Sequence, residues 1–280
     1  MTWMVLGLVL IAAFLHALWN LAAKKVSGNL SVLWLGLCLA SIVSWPFALS
    51  VYQPAQFIPE TIGCILATGA LHTAYFIALA KAYASGEISL VYPVARGTGV
   101  AGTALLASLW LSESITLYGT AGIGAICLGT ALIGVDRTGH KHPVSPILYA
   151  LLVGLTISGY SVVDKLAVGT LHPTVYISSM FSLTTLGMYP YVWWHQVEFK
   201  SALRGLKRYI ALIGIGSIGT YLIILFAFRF GPASYVVAAR ESAVVIGALL
   251  GRIFLLEPLT PNKVLGIVAI VCGVILVKAA

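Results

Sequence analysis

Apolar residues fall into ten runs along the 280-residue chain, at 3–24, 31–52, 60–83, 88–110, 115–135, 146–168, 173–195, 209–230, 233–255 and 261–279. About 20 apolar residues carry a helix across the hydrocarbon of a bilayer, so the pattern predicts ten spanning helices. The connections are short, which makes neighbouring helices antiparallel; the longest breaks lie at 138–146 and 195–208. Pro54, Pro59, Pro143, Pro146, Pro173, Pro232, Pro258 and Pro261 stand at or near run ends, where a missing backbone N–H costs least.

The polar positions repeat. At a constant offset of 144, Arg96 falls on Arg240, Glu113 on Glu257, Thr116 on Thr260, Gly122 on Gly266 and Gly129 on Gly273. The same offset lays Asn20 over Asp164 and His16 over Tyr160 in the first helix of each half. Five helices per half is an odd number, so the second half enters the membrane in the opposite sense. The predicted fold is an all-α membrane protein of ten transmembrane helices, built as two inverted-topology five-helix repeats. The repeats are residues 1–137 and 146–280, joined by a loop at 138–145.

Composition narrows the class. Sixty per cent of residues are hydrophobic and 9% charged, against about 25% charged in soluble domains, and the mean hydropathy is +1.01. The net charge of +8 does not point to nucleic acid, because no basic patch with interleaved aromatics accompanies it. Lys24, Lys25, Lys81, Arg137, Lys141, Lys200, Arg204, Lys207, Arg208 and Lys263 collect in the odd-numbered connections. Positive-inside places those connections in the cytoplasm and both termini outside the inner membrane. Cys38, Cys64, Cys127 and Cys272 each sit within an apolar run without C-x-x-C spacing, which argues against a disulfide or metal site. The first run has neither a basic leader nor a persuasive cleavage site, so it reads as a retained helix. The chain calls for no cofactor.

Arg96 and Arg240 are the leading functional candidates, since a charge deep in a spanning helix is expensive and usually functional. A guanidinium donates five hydrogen bonds in a planar fork suited to carboxylate or phosphate. The alternative is a structural ion pair with a carboxylate on another helix. Arg240 and Glu241 are adjacent and point about 100° apart on a helix, so they do not share a face. Tyr92 lies one turn before Arg96 on its face; Tyr235, five positions before Arg240, matches less well. His16, Asn20 and Lys24 share a face of the first helix, with Trp19 beside it, and Tyr160 and Asp164 repeat that face in the other half. A helix–helix hydrogen bond for His16 and a solvated pair of Asp164 with Lys165 are the alternatives there. His72 and Tyr75, at i, i+3, form a weaker polar cluster on the third helix. Glu113 and Glu257, each three residues before a Thr, read as caps of the following helix.

Two GxGxxG strings, at 97–102 and 214–219, lie inside apolar runs. A dinucleotide site needs that string between a strand and a helix, so they are read as close-packing glycines. Gly247 and Gly251 form a GxxxG, and Gly122/Gly129 and Gly266/Gly273 form stripes that bring helix backbones together, either within a monomer or in a homodimer.

At HALWN-x-x-x-K (16–24), YPVARGTG (92–99), the L-x-E-x-x-T element at 111–116 and LLEPLT (255–260), the chain resembles the drug/metabolite transporter superfamily, in particular its bacterial EamA-type members. The resemblance spans the whole chain. It implies a central cavity lined by helices 1, 3, 4, 6, 8 and 9, into which His16, Asn20, Tyr92, Arg96, Tyr160, Asp164 and Arg240 face. It also implies cytoplasmic termini, opposite to the charge count. The expected function is secondary transport of a small anionic or zwitterionic, amino-acid-like metabolite by alternating access, with no enzymatic activity. The substrate-binding set is Arg96, Arg240, Tyr92, His16, Trp19, Asn20, Tyr160, Asp164, Glu241, Tyr75 and Tyr235. The arginines hold an acidic group, Asp164 or Glu241 meets an ammonium, and Tyr92 and Trp19 shape the pocket. Glu241, Asp164 and His16 are candidates for proton coupling. Export of cationic amines or drugs, lipid translocation, and a membrane enzyme using His16 and Asp164 as acid and base are the competing readings.

Overall fold

The computed structural model describes residues 1–26, 29–85, 88–134, 144–195, 199–256 and 258–280. Among them every regular element is helical: α1 (Trp3–Lys25), α2 (Leu30–Ser50), α3 (Pro59–Ser85), α4 (Ile88–Trp110), α5 (Leu117–Gly134), α6 (Val144–Thr170), α7 (Pro173–Trp194), α8 (Phe199–Gly205), α9 (Lys207–Phe230), α10 (Ala233–Ala239), α11 (Ser242–Leu255) and α12 (Pro261–Ala279). A single 3₁₀ turn, Pro54–Gln56, precedes α3.

Side chains at the predicted boundaries start several helices. Asn29 Oδ1 accepts from Ser31 N (2.9 Å) and Val32 N (3.3 Å) at α2. Thr116 Oγ1 accepts from Gly119 N (3.1 Å) at α5, and Thr260 Oγ1 from Lys263 N (3.4 Å) at α12. Pro173 and Pro261 occupy the first turns of α7 and α12, where proline's missing N–H is no loss.

Eight stretches are long and apolar enough to cross a membrane: α1, α2, α3, α5, α6, α9, α12 and the α10–α11 stretch. At 23 and 22 residues, α4 and α7 have the length but are more polar, α4 through Arg96 and α7 through its hydroxyls. Two further features differ from the sequence pattern. The break at 195–208 contains the short α8, and the run at 233–255 is interrupted at Arg240–Glu241. There Glu241 N, Ala243 N and Val244 N bond three residues back, to Ala238, Arg240 and Glu241 carbonyls. This is a 3₁₀-type tightening, which in mid-helix often marks a functional site.

The helices pack α1 on α9, α3 on α6, α4 on α6, α2 on α7 and α5 on α12. Large apolar side chains such as Ile42, Phe47, Leu109, Leu186, Leu212 and Ile275 point outward, while Arg96, Asp164, Arg240 and Glu241 are buried. That inside-out distribution suits a lipid-solvated bundle. The glycine stripes are used within the chain: a Cβ on Gly122 would lie 2.7 Å from Gly273 O, and one on Gly129 2.6 Å from Gly266 O. Gly247 meets nothing. The GxGxxG strings also serve packing, Gly99 against Ile157 and Gly214 against Gly36 O.

Glu113 does not cap the following helix. Its carboxylate reaches across the bundle to the start of α10, accepting from Ala233 N (2.6 Å), Ser234 N (3.1 Å) and Ser234 Oγ (2.7 Å). The reason is that Thr116 already serves α5, so the acid is free to satisfy another helix's open N–H groups. Its counterpart Glu257 lies outside the described residues. Lys165 holds the other side of the same turn, donating to the Phe228 and Gly231 carbonyls at the end of α9. Glu113→Ala strands three donors at once and is expected to lower stability by about 1–3 kcal/mol. Denaturant unfolding beside Glu60→Ala, at an exposed position, checks this; equal effects would deny the cap its role.

Candidate functional site

Arg96 stands mid-way along α4 with Tyr92 one turn before it, the guanidinium carbon 5.9 Å from the ring centroid. Its charge meets the α10–α11 interruption. Arg96 Nη2 lies 2.7 Å from Glu241 Oε1, and Nε donates to Oε2 at 3.0 Å. Both side chains are nearly inaccessible, at 8% and 1%. This is a buried ion pair held by one hydrogen bond, with Nη2 close to the second oxygen but making no hydrogen bond. The tightened turn lets Glu241 face α4.

Arg240 has no such partner among the described residues. It is buried, and its Nε and Nη2 make no hydrogen bond. It lies within electrostatic range of His16 on α1, His72 and Tyr75 on α3, Tyr92 on α4 and Tyr221 on α9. Other buried polar atoms without partners among the described residues include Arg96 Nη2 of α4, Trp19 Nε1 of α1, Thr220 Oγ1 of α9 and Ser242 Oγ of α11, α1 packing on both α9 and α11. Each can donate a hydrogen. Among the described residues Arg240 thus presents a buried positive charge that no carboxylate contacts.

Aromatic rings form a neighbouring wall. His72 stacks on Tyr160 at 4.1 Å between centroids, and Tyr75 and Tyr221 meet Tyr160 edge-on at 6.0 and 6.2 Å. His16 packs edge-on against Trp19 at 4.9 Å. His16, Tyr75 and Tyr221 are partly buried and keep some accessible surface.

Several residues of the predicted set are placed differently. Asp164 is fully buried and makes no pair with Lys165. Its Oδ1 accepts from Thr68 Oγ1 (2.7 Å) and Tyr176 Oη (2.6 Å), and its Oδ2 from Tyr221 Oη. Glu241 is taken by Arg96. Neither acid is therefore open to an ammonium. Asn20 is exposed and turns its amide back to His16 O at 2.7 Å, the common fate of a short polar side chain on a helix surface. Tyr235 accepts from Thr116 N (3.1 Å) and packs on Gly119, because its five-residue spacing from Arg240 turns it toward α5. The side chain of Lys24 lies outside the described residues.

The sequence pattern did not single out Thr68 or Tyr176. Thr68 and His72 carried a signal, a polar i, i+4 pair within an apolar helix. Tyr176, three residues into α7, carried none, since a tyrosine there also suits the membrane interface. Among the described residues no group of three or more His, Cys, Asp and Glu could hold a metal.

The profile of the EamA-like transporter family matches residues 3–135 and again 144–279. The "Uncharacterized transporter YwfM" of Bacillus subtilis (strain 168) is 25% identical over 152 residues, 54% of this chain and 51% of that protein. The chain thus spans about half the length of this curated relative. A protein of known crystal structure superposes with a TM-score of 0.77 at 17% identity, over 98% of this chain and 96% of that one, a likeness of fold. The chain belongs to the EamA-like transporter family and is an integral, multi-pass membrane protein.

Proposed function

We propose that this chain is a secondary transporter for a small anionic metabolite, or a zwitterionic one of amino-acid type, whose acidic group is received by Arg240. One observation carries the reading: a guanidinium buried in the bundle with Nε and Nη2 unpaired. An isolated charge in a low-dielectric interior is strongly disfavoured, and a carboxylate fitting its fork would neutralise it. Trp19 Nε1, Thr220 Oγ1 and Ser242 Oγ are further donors for the same group. The rings of Tyr75, Tyr160 and Tyr221 would line the remainder. With Glu241 and Asp164 both occupied, an anion is favoured over a cationic amine.

Alternating access would come from two inverted five-helix repeats, with α4 and α7 spanning beside the eight more apolar stretches. Supporting this, the matched positions of the halves share unusual backbone. Ser112 (φ 53°) and Leu256 (φ 56°) are the non-glycine residues with positive φ among those described, and they stand 144 apart. Pro46 and Pro190, inside α2 and α7, stand 144 apart as well. The halves would rock about the cavity, as in other transporters with a midplane site at a repeat interface. The charge count supports extracytoplasmic termini in the inner membrane.

Thermal unfolding of the purified protein against amino acids, organic acids, phosphonates, amines and lipids tests the site. An acid present at 100-fold its dissociation constant should add about 2.7 kcal/mol, and Arg240→Ala should abolish that gain. Stabilisation by amines, undiminished in Arg240→Ala, would sink the proposal.

A further inference from the structure

Among the described residues no Lys or Arg is in contact with the Asp164 carboxylate. Lys165, next in sequence, is turned to the Phe228 and Gly231 carbonyls. The groups around Asp164 come from every helix packed on α6. They are Cys64, Thr68 and His72 of α3, Tyr176 of α7, Tyr221 of α9 and, through the His72–Tyr221 cluster, Arg240 of the α10–α11 turn. Arg96 of α4 is engaged by Glu241, and Tyr160, one turn earlier on α6, stacks on His72.

The hydrogen positions in this cluster follow from counting. Thr68 owns one hydroxyl hydrogen and gives it to Asp164 Oδ1 at 2.7 Å. The contact of Thr68 Oγ1 with His72 Nδ1, at 3.0 Å, must then be donated by the ring. His72 Nδ1 also reaches the Thr68 carbonyl at 3.0 Å, which can only accept. With Asp164 ionised, His72 is therefore the Nδ1–H tautomer, and its Nε2 is left with a lone pair.

The same three groups have a second complete arrangement. A proton arriving at His72 Nε2 releases the Nδ1 hydrogen to Thr68 Oγ1, and the Thr68 hydrogen passes to Asp164 Oδ1. One proton has entered, Asp164 is neutral, and His72 is the Nε2–H tautomer. Asp164 now donates to Thr68, and Thr68 donates to His72 Nδ1. Each hydrogen between Asp164, Thr68 and His72 again has an acceptor, no heavy atom need move, and the new Nε2–H is left as a donor with no acceptor among the described residues. Two hydrogen-bonded arrangements that differ by one proton make a bistable element.

We propose that Asp164, Thr68 and His72 form a proton-binding relay linking α6 to α3, with Asp164 as the site of the bound proton. Proton uptake converts His72 Nε2 from acceptor to donor, in a ring within electrostatic range of Arg240. A donor there favours an anion, so proton and anion reinforce one another's binding. That use in transport rests on the reading of Arg240 above; the relay itself needs no ligand.

Infrared difference spectra of the ligand-free protein after pH steps test the relay without any transport assay. As pH falls, a protonated-carboxyl C=O band should grow, together with ring bands changing from the Nδ1–H to the Nε2–H imidazole tautomer. Asp164→Asn should lose the carboxyl band, and His72→Phe the ring bands. Thr68→Val, which removes only the linking hydroxyl, should keep the carboxyl band and lose the coincident tautomer change. A carboxyl band surviving in Asp164→Asn, or no such band across the pH range in which the protein stays folded, overturns the proposal. Should Asp164→Asn fail to fold, an unaltered tautomer change in Thr68→Val overturns it equally. Failure of anions to bind at Arg240 would leave these spectra unaffected.

Discussion

Glu241→Gln should destabilise the ligand-free protein by about 3–5 kcal/mol, the usual effect of removing one partner from a buried ion pair. Its carboxylate is the sole acid contacting Arg96 among the described residues, through contacts at 2.7 and 3.0 Å, and it is 1% exposed. Without it, Arg96 and Arg240 remain as two buried guanidiniums that no carboxylate contacts among the described residues. The opposite sign is expected one residue away. Arg240→Met removes a charge that has no partner and should raise stability by about 1–3 kcal/mol, the desolvation penalty of an unsatisfied group. The double change Arg96→Met, Glu241→Met deletes pair and penalty together and should be near neutral or stabilising. Denaturant unfolding in one detergent compares all three. If Glu241→Gln and Arg240→Met shift the midpoint in the same direction, the charge imbalance described above is wrong.

That imbalance was half legible in the sequence. Two arginines at matching depth could be seen, and Glu241 beside one of them. Helical geometry separated Arg240 from Glu241, as the structure has it. What the chain alone could not supply is the partner of Glu241, because Arg96 is 145 residues away and meets it only through the packing of α4 on α10. The interruption at Arg240–Glu241 was equally hidden. It involves no proline or glycine, and the local residues are ordinary helix formers. Glu113 shows the same limit: its position before Thr116 points to a cap of α5, but the helix it serves begins 120 residues on. Helix existence was the more accessible part, since long apolar runs fix length and type locally. The average polarity of α4 and α7 follows from the functional and hydroxyl-rich side chains they carry, so hydropathy weakens where the bundle interior is most polar. For Asp164, near neighbours in sequence misled: Lys165 is adjacent but points to another helix, and the real partners come from α3, α7 and α9.

The largest structural effect outside the charged cluster is expected at the glycines joining α5 to α12. A Cβ on Gly129 would stand 2.6 Å from Gly266 O and 2.9 Å from Ile270 N, and one on Gly266 2.5 Å from Gly129 O. Both obstacles are backbone, which no rotamer change relieves, so Gly129→Ala must push the helices apart. Overpacking of this kind costs about 1–3 kcal/mol even where side chains can adjust, and here they cannot. Gly124, on the same helix, meets nothing within 4 Å. Gly124→Ala should therefore be neutral or stabilise by up to about 1 kcal/mol through helix propensity. The two substitutions add the same methyl to the same helix, and their difference isolates the contact. Combining Gly129→Ala with Gly266→Ala should be less than additive, because helices already separated by the first methyl make room for the second. Equal melting temperatures for Gly124→Ala and Gly129→Ala would mean that α5 and α12 do not approach this closely. A fully additive double mutant would mean that the two glycines do not share one contact.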